Sequence, residues 1–102
     1  MEFLTVMPMP TGRNRPAAVG LNGRLYAMGG TNGPALNTMD VYDPGTDTWT
    51  GKAPMATARS GHAATAINGL VYVVGGANPG VLAVLEEYDP ATNTWTTKAA
   101  MP

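Results

Sequence analysis

Laid against itself at an offset of 46 residues, the 102-residue chain is identical at 23 of the 48 positions from 8 to 55, without a gap. Asn22-Gly23 falls on Asn68-Gly69, Gly29-Gly30 on Gly75-Gly76, and Tyr42-Asp43-Pro44 on Tyr88-Asp89-Pro90. Thr48-Trp49-Thr50 then falls on Thr94-Trp95-Thr96. A period of roughly 20 to 50 residues points to a solenoid, a propeller or another array, in which each unit buries its faces only against its neighbours.

Turn signals inside each unit lie close enough together to leave only strand-sized segments. The spacing predicts a first strand over residues 17–21 and 63–67, ended by Asn-Gly, a pair that tolerates the positive φ of a two-residue type I′ hairpin. A second strand over 25–28 and 71–74 ends at the Gly pair, where a missing Cβ permits positive φ or the close approach of another backbone. A third over 38–42 and 84–88 is broken by Asp-Pro, and a fourth carries Trp49 or Trp95 in a Thr-rich stretch. The small residues of the first strand, Ala17 and Ala18 with Ala63 and Ala64, predict that it lies innermost, where strands converging on an axis leave little room for bulk. The scattered methionines read as core filling.

Composition removes several chemistries. Seven acidic residues against six basic ones give a formal charge of −1, which argues against binding a phosphate backbone by bulk charge. Cys is absent and His62 is the single histidine, so thiolate metal sites, multi-histidine sites and cysteine nucleophiles cannot be built, and no cofactor is expected. No apolar run approaches the roughly 20 residues needed to cross a bilayer, and the first residues carry no basic leader. The compartment is left open.

A unit of this length, with a Gly pair after the second strand and then Tyr and Trp seven residues apart, resembles the kelch repeat. Both copies carry these residues: Gly29, Gly30, Tyr42 and Trp49 in the first, Gly75, Gly76, Tyr88 and Trp95 in the second. The Met-x-x-x-Arg segments ending at Arg13 and Arg59 also look like kelch. The resemblance implies an all-β fold of two four-stranded propeller blades, residues 9–54 and 55–102. Residues 1–8 then read as the leftover outer strand or linker of a preceding blade. A blade apolar on both flanks packs between two others, so two blades alone would leave large apolar faces exposed. Head-to-tail association with ring closure solves this. Because kelch propellers most often have six or seven blades, a homotrimer completing a six-bladed propeller is expected, ahead of a tetramer, a dimer or a fragment of a longer propeller.

In kelch adaptor proteins the position matching Arg13 and Arg59 lies at the mouth of the central channel, where acidic peptides dock. The resemblance therefore implies ligand contact by Arg13 and Arg59, with Asn14, Arg15, Ser60, Asn32 and Asn78 bordering the same mouth. The bland alternative is that each Arg caps strand carbonyls or stacks on a neighbouring ring. His62, opposite Pro16 in the repeat, reads as a structural histidine, and no paired carboxylates suggest catalysis. The expected function is a non-enzymatic binding scaffold that partners itself and an acidic peptide or anionic small molecule. Its rivals are a mutarotase-like carbohydrate-active propeller and a purely structural duplicated fragment. A copper-radical oxidase is excluded, because it needs a Cys-modified Tyr.

Overall fold

The structure, a computed structural model, describes residues 13–78 and 80–99. The segment expected as a leftover strand, residues 1–8, lies outside the described residues. Eight strands follow in chain order: β1 (Ala17–Leu21), β2 (Arg24–Met28), β3 (Met39–Asp43), β4 (Thr48–Lys52), β5 (Ala63–Ile67), β6 (Leu70–Val74), β7 (Leu85–Asp89) and β8 (Thr94–Lys98). They form two four-stranded antiparallel sheets, ordered β1-β2-β3-β4 and β5-β6-β7-β8. The chain is all-β, and each 46-residue unit is one blade.

Turn chemistry sets the strand ends. Asn22 and Gly23 have φ of 54° and 74°, and Asn68 and Gly69 have 52° and 79°, so both hairpins take the positive-φ pair their sequence favours. After Tyr42 and Tyr88, the Asp43 and Asp89 carboxylates accept the amides of Gly45 and Ala91 at 2.9 Å, closing the β3–β4 and β7–β8 turns. The registers are superimposable: Tyr42 faces Trp49 as Tyr88 faces Trp95, with ring centroids 5.2 and 5.0 Å apart.

The period of two along each strand divides the side chains between faces. One face of the first blade presents Tyr26, Met28, Met39 and Val41, all buried, to the second blade's Val71, Val73 and Tyr88. Met55, from the connecting segment, is 1% exposed in the same cluster. The core of the molecule is thus the seam between blades. Burying such side chains contributes roughly 1.5 to 3 kcal/mol each. Across this seam β1 and β5 come together, as their small side chains predict. Among the described residues, no further sheet covers the other two flanks, one on each blade.

Candidate functional site

The segment before each first strand is held by an arginine that turns inward. Arg13 donates through Nη1 to Gly29 O at 3.3 Å and Thr38 O at 3.1 Å, and through Nη2 to Asp40 Oδ2 at 2.5 Å. Forty-six residues on, Arg59 Nη1 donates to Gly75 O at 3.1 Å and Val84 O at 2.9 Å, and its Nη2 pairs with Glu86. Both guanidiniums are fully enclosed, with side-chain exposure of 0%. A buried charge is tolerated only when paired and hydrogen-bonded, and here the end of the second strand and the start of the third supply the acceptors.

The Arg13 and Arg59 side chains therefore tie each blade together and do not project into an opening. This corrects the expectation of direct ligand contact, in favour of the carbonyl-capping alternative. The partners Asp40 and Glu86 were not assigned this role from sequence. Their signal was present, since an acidic residue occupies both equivalent positions of the repeat.

The loops around this strap form a repeated polar rim. Asn14 and Thr31 exchange main-chain bonds of 2.9 and 2.7 Å, as Ser60 and Ala77 do at 3.2 and 3.0 Å. The next turns repeat too, with Asn32 N donating to Pro34 O at 3.1 Å and Asn78 N to Gly80 O at 2.9 Å. The Gly pairs permit this crossing. Gly30 has φ of 96°, and a Cβ there would stand 2.5 Å from Asn14 O; Gly76 has φ of 89°, and a Cβ would stand 2.7 Å from Ser60 O. Of the residues expected at the mouth, Asn14, Arg15, Asn32 and Asn78 are exposed, whereas Ser60 is buried at 6% exposure. Asn14, Thr31, Asn32 and Gly33, with Arg13, line a cleft of about 310 Å³. Arg15 reaches across the seam: its guanidinium lies where a Cβ at Gly61 would sit, and its carbonyl accepts Gly61 N at 3.1 Å.

His62 stands in the seam beside this rim. Its Nε2 donates to Met28 O at 2.9 Å, while Nδ1 is buried without a partner among the described residues. Burial, and then the nearby Arg59 charge, lower its pKa against the opposing effect of the Met28 bond, so the neutral ring is favoured. This is a histidine that joins blades. Among the described residues, no group of three or more His, Cys, Asp or Glu is arranged to hold a metal ion.

A larger cleft, about 550 Å³, opens at the opposite end of the seam, between the hairpin turns. Tyr26, Val41 and Tyr88 form its apolar lining, and Arg24, Asp43 and Lys52 line its first-blade side. The Arg24 and Asp43 charges are 3.7 Å apart and largely solvated, a spacing that contributes little to stability. Apart from the motif residue Tyr88, none of these residues was expected at a site.

The Kelch motif matches the chain twice, over residues 12–56 and 58–102. The solved structure of YjhT superposes with a TM-score of 0.87 over 99% of this chain, at 20% sequence identity. This chain spans 42% of that one, and the likeness speaks for the fold alone. With the Gly pairs, the Tyr and Trp of each blade and the inward arginines all in repeat, the chain belongs to the kelch family as two successive repeats.

Proposed function

We propose that this chain is a non-enzymatic kelch module, a two-blade unit that assembles head to tail into a closed propeller and uses its polar rim as a binding surface. Three copies close a six-bladed ring. One observation carries the binding reading: equivalent loops of both blades are locked into the same main-chain geometry while Asn14, Arg15, Asn32 and Asn78 are left exposed along one edge. Amides and a guanidinium on a rigid edge suit carboxylates and other polar acceptors, because little conformational entropy remains to be lost on binding.

Closure multiplies the effect, since each added copy brings the same set of groups to one opening. A panel of acidic peptides and sugar acids, titrated against the wild type and against Arg15→Ala/Asn32→Ala, tests it. Binding that the double variant loses while its oligomer mass is unchanged supports the scaffold. A parent protein that binds none of the panel removes the ligand role and leaves a structural module. Interconversion of sugar anomers above the uncatalysed rate would replace the scaffold with an enzyme.

A further inference from the structure

The seam between the two blades is stitched through main chain and side chains alike. Gly30 N donates to Arg59 O at 2.8 Å, Arg59 N to Leu36 O at 3.0 Å, Met55 N to Asn37 O at 2.8 Å, and Gly61 N to Arg15 O at 3.1 Å. Side chains add four locks: Asn37 Nδ2 to Met55 O at 3.3 Å, His62 Nε2 to Met28 O, Trp95 Nε1 to Ala53 O at 2.7 Å, and Ala53 N to Asn93 Oδ1 at 3.0 Å. Moved forward by one repeat, the blade-side groups become Gly76 N, Leu82 O, Ala83 O and Gly61 O. Among the described residues, no hydrogen bond reaches any of these four. Unpaired main-chain groups at the edge of an apolar face are a template for another segment.

The segment that fits is in this sequence. Pro54-Met55-Ala56-Thr57-Ala58-Arg59, which provides the stitching strand of the closed seam, is matched by Pro8-Met9-Pro10-Thr11-Gly12-Arg13, with Pro, Met, Thr and Arg at the same places. The flank beside the four open groups carries Ile67, Tyr72, Val74 and Leu85, on the face that in the first blade is the buried one. Ile67 is 52% exposed.

That flank is nonetheless not a copy of the closed one. Thr65 and Glu87 stand where the closed seam has Val19 and Val41, and Glu87 lies 3.7 Å from Lys98. Two of the four side-chain locks are also missing, because Ala83 replaces Asn37 and Pro16 replaces His62. The main-chain register is thus retained while the apolar area is reduced and a carboxylate must be desolvated.

We infer that the open flank of the second blade receives the first blade of a second copy in the same main-chain register as the closed seam, and that this joint between chains is the weaker, reversible one. The inference rests on the self-assembly reading above and specifies its joint. A ring of this protein opens between chains and not within them.

Sedimentation of the full chain over about a thousand-fold dilution reads the joint, because association is governed by mass action. The wild type is expected as a multiple of 10.6 kDa that falls to 10.6 kDa on dilution. Glu87→Val, which restores the apolar residue of the closed seam, shifts that midpoint to at least about tenfold lower concentration. Leu85→Arg leaves a 10.6 kDa species that keeps its β-sheet circular dichroism. Tyr42→Cys/Tyr72→Cys places its thiols on opposite outer flanks of one chain, so a short bis-maleimide joins copies into a ladder. A wild type that is monomeric at every concentration overturns both the assembly and the joint. An oligomer indifferent to both flank substitutions, with no ladder, overturns the joint and leaves assembly standing.

Discussion

The two blades solve one problem with different acids. In the first, Arg13 pairs with Asp40, whose side chain is 10% exposed; in the second, Arg59 pairs with Glu86, which is fully buried. The extra methylene lets Glu86 also accept Ala56 N at 2.7 Å. The residue equivalent to Ala56 is Pro10, which has no N–H to give. The longer acid thus accompanies the segment with a donor to satisfy, and the shorter acid the segment without one. Position in the chain accounts for the difference in burial: the Arg59 strap lies between two sheets, while the Arg13 strap has one described sheet to lie against.

Unequal burial predicts unequal penalties. Arg59→Ala strands the Glu86 carboxylate without water, and urea unfolding is expected to show a loss of about 3 to 5 kcal/mol, the range for removing one partner of a buried pair. Arg13→Ala should cost less, since Asp40 retains some solvent. Equal losses would mean that the strap, and not its burial, sets the energy.

The aromatic pairs offer a second contrast. Tyr88 is 1% exposed, lies 6.1 Å from Tyr26 across the seam and bonds Asn93 at 2.8 Å, whereas Tyr42 stands half-buried on the outer flank and bonds Asp47 at 2.7 Å. Tyr88→Ala should lower stability by about 3 kcal/mol, as for other large aromatic truncations in cores. Tyr42→Ala should lower it less at dilutions where the chain is monomeric, and this gap should narrow as concentration rises and the outer flank becomes covered. A gap independent of concentration would count against the flank being an interface.

The smallest effect belongs to His62, which has no counterpart in the first blade. Its folded pKa lies below the ordinary 6.5, so the unfolded chain binds a proton first. Its contribution to stability is complete above pH 6.5 and declines as pH falls from there toward the folded value. His62→Gln should flatten that part of the stability profile relative to the wild type. Parallel profiles for the two proteins would show that the histidine stays solvated.

Much of this architecture is legible in the sequence. The strand limits follow from Asn-Gly, Gly-Gly and Asp-Pro, and the observed ends differ from the expected ones by a single residue at β2 and β3. These are local preferences written into short stretches of chain, and the repeat states them twice. The placement of small residues in β1 and β5 likewise announced where the blades converge. The sequence misled at the arginines. Arg13 and Arg59 lie 27 residues before their acidic partners, with two strands and a loop between, and nothing local distinguishes a guanidinium aimed at solvent from one aimed inward.

By itself, then, the sequence determined two identical-register sheets, their turns and their order, because hydrogen-bonding preferences of neighbouring residues decide those. Tertiary structure alone decided that Arg13 and Arg59 are internal ties, that Asn14, Arg15, Asn32 and Asn78 remain at the rim, and that His62 bridges the blades. Those outcomes depend on which distant carbonyls and carboxylates are brought within about 3 Å, the reach of a hydrogen bond. Only the closing of one sheet over another brings them there.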